Sequence, residues 1–188
     1  METIEQLSSP PLARRLGETV HVLPLFRKVC LLSGCPEERV GEWLLKCAVC
    51  RGASHYEREF SGDLPPDNSD LSHEELAVAL CLGRHPYNSV FIRAAAQLLS
   101  STQSNAPRLA RLAVLERVEP VLLHIATIAA RFAPEAQPWS YLLRHLPRRR
   151  TCSPEVLPHW SRFVSQTGVT AFGGGPEIKW LCRRERAA

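Results

Sequence analysis

Proline and glycine decide where this chain can be regular. Fifteen prolines and ten glycines break it into short runs. Proline inside a helix removes a backbone hydrogen bond and clashes with the preceding turn, whereas at a helix start it costs nothing. Ser9-Pro10-Pro11 opens a first helix, Pro24 kinks or splits it, and Gly34 supplies its C-terminal cap. Pro36 then takes the first position of a second helix, in which Val40, Trp43, Leu44 and Cys47 share one face and after which Gly52 stops the run. Residues 53–71 hold Gly62, Pro65, Pro66, Asp67, Asn68 and Asp70 and read as a connection. So long a loop suits a hinge, a lid or a boundary.

The firmest start signal comes next. Ser72-His73-Glu74-Glu75 is a capping box, in which the serine hydroxyl accepts from the glutamate N–H and the glutamate side chain reaches back. The helix it opens carries Leu76, Leu80 and Cys81 and stops at Gly83. Asn88 or Ser89 caps a helix running to about Ser100, and Asn105 with Pro107 opens a long segment that Pro120 interrupts. Val121 to Ala130 is apolar nearly all round, which predicts a central buried helix. Pro138 begins a short helix that ends before Pro147. Farther on, Ser153-Pro154 and Pro158 bracket a short helix with Trp160, Phe163 and Val164 on one face. Val169 to Phe172 and Ile178 to Cys182 flank Gly173-Gly174-Gly175-Pro176 as a β-hairpin, with Phe172 and Trp180 packed on the helices.

The expected fold class is therefore mainly α: a compact irregular helical bundle, or a short α-solenoid, with a small C-terminal hairpin. Residues 1–52 form an N-terminal helical pair, 53–71 the connecting loop and 72–188 the main helical domain, together one globular unit. The length of 188 residues agrees with that, since such a chain buries roughly 70% of its unfolded surface without a metal or disulfide.

Several function classes are excluded early. The densest apolar run, Val121 to Ala130, is interrupted by His124 and Thr127 and falls short of the about 18 residues a spanning helix needs. Glu2 and Glu5 at the start, with no basic segment before an apolar run, do not resemble a secretory signal. The expected compartment is the reducing cytoplasm, where the seven cysteines at 30, 35, 47, 50, 81, 152 and 182 are free thiols.

Charge is the most informative property that remains. The net charge of +4 conceals a gradient from −3 over residues 1–71 to +2 over 72–146 and +5 over 147–188, and 20 of the 23 basic residues are arginine. Arginine matches carboxylate and phosphate in a bidentate fork and stacks on aromatic rings, though a GC-rich genome also raises its number. In the C-terminal third, Arg144, His145, Arg148, Arg149 and Arg150 form one basic cluster, and Arg183, Arg184 and Arg186 form another. Arg162 lies between them with Trp160, Phe163, Phe172 and Trp180. That composition suits an acidic or phosphorylated protein partner or, alternatively, a nucleic-acid strand held by its backbone and stacked bases.

A second basic candidate is a helix–turn–helix over residues 94–117. Ala94 to Leu99 would pack closely on the helix bearing Arg108 and Arg111, and these with Arg117 would reach phosphates or guanine edges. Ser100 stands where glycine usually makes the turn, and the connection is long. Cys47 and Cys50, with Cys30 and Cys35 upstream and His55 in reserve, are candidate zinc ligands or a thiol site. Cysteine is more often a small buried residue, and ordinary core or surface thiols are the preferred reading.

Catalytic signatures are thin. The sequence holds no G-x-S-x-G elbow, no G-x-x-x-x-G-K-[ST] loop and no H-E-x-x-H helix. His124 in the apolar run is read as a core histidine before a general base, and His159 as a surface or capping residue. The sequence thus predicts an interaction or adaptor module for an acidic macromolecule, with nucleic acid as the alternative and a zinc or thiol enzyme as a minor one.

Overall fold

Capping side chains or left-handed residues set several of the helix boundaries. The computed structural model describes residues 24–53, 70–83, 88–100, 104–132, 138–148, 157–159, 164–167 and 177–180. Helix α1, Leu25–Ser33, starts directly after Pro24 and ends at Gly34, whose φ of 59° and ψ of 10° are left-handed. Only a residue without a Cβ takes that conformation freely. The region opened by Ser9-Pro10-Pro11 lies outside the described residues.

Pro36 does not begin an α-helix, as expected, but a single 3-10 turn, Glu37–Arg39. Helix α2, Val40–Cys50, follows it, and Gly52 leaves with φ of 104°. Helix α3, His73–Cys81, has the expected capping box with both bonds made: Glu75 N–H donates to Ser72 Oγ at 3.2 Å, and Ser72 N–H donates to Glu75 Oε2 at 2.8 Å. Helix α4 spans Asn88–Leu99 and α5 spans Ala106–Leu115. Asn105 Oδ1 caps α5 by accepting from Arg108 N–H at 3.0 Å. The chain then breaks at Glu116 to Val118, where Arg117 has φ of 60°. Helix α6, Glu119–Phe132, begins one residue before Pro120, so the proline sits in a first turn and interrupts nothing. Helix α7 is Trp139–His145, with Trp139 fully buried.

The central helix is α3, not the apolar run in α6. Every residue of α3 from Glu74 to Cys81 is buried, and the helix packs against α1, α2, α4 and α5. Its contact with α4 is the most extensive in the molecule. Ala77, Ala79, Ala94, Ala95 and Ala96 are all fully buried, and such short side chains let helix axes approach closely. In α6, by contrast, Thr127 is exposed and Leu123 and His124 are half-buried. A single apolar cluster joins Leu25 and Val29 of α1 to Leu122 and Ile125 of α6 and to Trp139, Leu142 and Leu146. Helices in substantial contact are one or two apart in chain order, a pattern that a bundle and a short solenoid share, while the Leu25 N–H to Glu116 bond ties α1 to the end of α5.

Among the described residues no helix is long and apolar enough to cross a membrane. The expected C-terminal hairpin is not established. Val169 to Phe172 and the glycine run lie outside the described residues, and of that region only the backbone of 164–167 and 177–180 is described.

Candidate binding surface

Over residues 71–148 the described carboxylates are turned inward, whereas Glu37, Glu38, Glu42 and Asp70 are exposed. Glu75 Oε1 accepts from Lys28 Nζ at 2.8 Å, with both side chains buried. Glu74 is 5% exposed, and its Oε1 accepts from Asn105 N–H at 2.7 Å, at the start of α5. Glu116 Oε1 accepts from Leu25 N–H at 2.8 Å, at the start of α1. Glu119 is also buried. Three of these four carboxylates thus satisfy a helix N-terminal N–H, where a negative charge is also favoured by the helix dipole. Burial alone would raise the Glu75 pKa. The Lys28 hydrogen bond, the Ser72 N–H and the charges of Lys28 and Arg108 outweigh burial and hold it below the usual glutamate value.

The arginines point the other way. Between residues 71 and 148, Arg108, Arg111, Arg117, Arg131, Arg144 and Arg148 are all exposed, and Arg93 is half-buried. Arg108 leans towards Glu75 at 3.9 Å while its side chain stays 48% exposed, so this contact leaves most of its charge in solvent. Helices α5 and α7 pack together, which sets the helix bearing Arg108 and Arg111 beside the helix whose last turn bears Arg144 and His145. His145 stacks on Tyr141 with ring centroids 3.9 Å apart. Arg149, Arg150, Arg162, Arg183, Arg184 and Arg186 lie outside the described residues. Arg131 was not anticipated from the sequence; its place in the last turn of an amphipathic helix, where cations are favoured, was the available signal.

The helix–turn–helix expectation meets a different arrangement. Its two helices exist as α4 and α5, but each rests on α3 and they make no substantial contact with each other. Arg108 and Arg111 are therefore carried by a helix anchored on α3 and α7. The expected zinc set is not assembled either. Among the described residues no three His, Cys, Asp or Glu side chains are placed to hold a metal ion, so Cys30, Cys35, Cys47 and Cys50 do not converge. His55 lies outside the described residues. Cys47 and Cys81 are buried, and burial pushes the Cys81 thiol up to about 12, far from the thiolate a reactive site needs.

The two histidines singled out from the sequence meet near one segment. His124 Nε2 lies 2.9 Å from the Pro158 carbonyl and so ties residues 157–159 to α6, a structural role in place of a general base. His159 is exposed and lines, with Ser89, Arg93 and Pro158, a cavity of about 300 Å³. Compared with known protein families, with curated proteins and with solved structures, the chain matches none.

Proposed function

We propose that this protein is a non-catalytic binding module of the cytoplasm that engages an acidic protein partner through arginines of its C-terminal region. One observation carries the reading. Between residues 71 and 148 the four described carboxylates, Glu74, Glu75, Glu116 and Glu119, are buried or committed to helix starts, while six arginines stand exposed. The inward carboxylates and outward arginines concentrate positive charge on the solvent side of this part of the chain without changing its total. The basic residues farther along the sequence, Arg149, Arg150, Arg162, Arg183, Arg184 and Arg186, would add to the charge such a partner meets.

Fluorescence anisotropy with a labelled polyglutamate peptide, a mixed-sequence single strand and a duplex tests it. Salt is stepped from about 50 to 200 mM, over which extensive phosphate neutralisation loses roughly a thousandfold in affinity. The expected result is polyglutamate binding that weakens with salt and is at least as tight as that of either oligonucleotide. A clear preference for an oligonucleotide overturns the protein-partner reading in favour of nucleic acid. Absence of binding to all three at the lowest salt overturns both.

A further inference from the structure

The solvent side of α5 carries a mixture that a simply hydrated helix face does not need. Pro107, Arg108, Arg111, Val114 and Leu115 are all exposed, and their three- and four-residue spacing sets them on one stripe. The opposite stripe, Ala106, Leu109 and Ala113, is buried. Leu115 is 68% exposed and Val114 45%, and among the described residues Leu31 alone matches them as a large exposed hydrophobic. Isolated surface leucines are ordinary, but two adjacent ones framed by charge of a single sign are not. The framing charges are Arg108 and Arg111 before them and Arg117 after them, all exposed. Neighbouring carboxylates are already engaged: Glu75 holds Lys28, and Glu116 holds the Leu25 N–H. Among the described residues Arg111 and Arg117 enter no ion pair.

We propose that this stripe is the docking site for an acidic amphipathic helix of a partner protein. The aliphatic side chains of that helix cover Val114 and Leu115, and its carboxylates meet Arg108, Arg111 and Arg117. The inference rests on the acidic-partner reading and narrows it to one surface and one ligand form. Charge complementarity sets the sign of the occupant. The adjacent aliphatics select an amphipathic helix, whose apolar residues recur every three or four positions, over a phosphate backbone, which offers them nothing. Arg108 to Leu115 spans about 10 Å of helix, so two turns of a partner suffice.

The test uses the full chain and three labelled synthetic peptides of equal length: one with Glu and Leu at helical spacing, the same peptide with Gln for Glu, and polyglutamate. The Glu/Leu peptide is expected to bind at least about tenfold tighter than either control. Leu115→Ser and Arg111→Ser should each weaken it about fivefold or more, a loss of the size expected for a contact inside an interface. Leu31→Ser, on α1, should leave it unchanged. Binding of polyglutamate that equals the Glu/Leu peptide and ignores Leu115→Ser overturns the stripe and leaves the acidic-partner reading standing. Failure of both acidic peptides to bind overturns the two together. A labelled mixed-sequence single strand is run beside the peptides as a fourth probe, and its binding more tightly than any of them, with a response to Arg111→Ser but not to Leu115→Ser, overturns the protein ligand.

Discussion

Glu75 bears more of this structure than any other polar residue. One carboxylate oxygen closes the capping box on Ser72, and the other neutralises Lys28 inside the core. Removing one member of a buried pair leaves the other charge stranded, which costs on the order of 3–5 kcal/mol. Glu75→Gln is therefore expected to destabilise the fold by roughly 3 kcal/mol at pH 7. The pH dependence follows from the sign of the shift. The Glu75 pKa is held below its ordinary value in the folded state. Its stabilisation is thus complete above the unfolded-state value of about 4.3 and is lost as pH falls through the folded-state value. Urea melts of the two proteins should show the same gap at pH 7 and 5.5 and a narrower one near pH 3. A gap that does not change with pH contradicts this role. The capping box itself was legible in the sequence because its two partners are three residues apart. Lys28, 47 residues away, was not, since nothing local marks a lysine that will be buried.

Among the elements, the contrast between α3 and α6 shows what periodicity reads and what it misses. Val121 to Ala130 is the most apolar run, yet it leaves Thr127 in solvent and His124 half-buried. Helix α3 carries two glutamates in its first turn, which look solvated, and is nevertheless buried from Glu74 to Cys81. The partners of those glutamates are the Asn105 N–H and Lys28, 31 and 47 residues away, so the burial has no local signature. The same long reach hides the packing of α4 and α5, which resemble a two-helix unit in sequence while each lies on α3. Start signals fare better, because a cap and the N–H it satisfies are neighbours in the chain. Asn105 is exposed, its backbone N–H donates to Glu74, and its side chain caps α5 by accepting from Arg108 N–H. Asn105→Ala is expected to cost about 1 kcal/mol. Thermal melts should show a fall of several degrees, and amide exchange should quicken in the first turn of α5, where Arg108 sits. An unchanged exchange rate there contradicts the capping role.

On the scale of the whole molecule, charge is sorted over residues 71–148, while Glu37, Glu38, Glu42 and Asp70 outside that range stay exposed. The core takes up Lys28 with Glu75, together with Glu74 and Glu119, and leaves Arg108, Arg111, Arg117, Arg131, Arg144 and Arg148 in solvent. Arginine abundance was visible in the composition, and its rise towards the C-terminus could be counted. The inward turn of the carboxylates could not, because it depends on which helix starts meet which side chains in three dimensions. The four cysteines weighed as zinc ligands, and read first as ordinary core or surface thiols, are not brought together among the described residues.

The most direct measurement of the central claim compares two variants that lose equal charge. Arg111→Ser with Arg144→Ser removes two exposed arginines of the proposed surface, and Arg27→Ser with Arg39→Ser removes two exposed arginines from the N-terminal helices. Affinity for labelled polyglutamate is read by anisotropy at about 50 mM salt, where unscreened surface charge counts most. The account predicts that the first pair weakens binding about tenfold and the second leaves it nearly unchanged. Equal losses would show that net charge alone governs binding and would contradict a localised arginine surface.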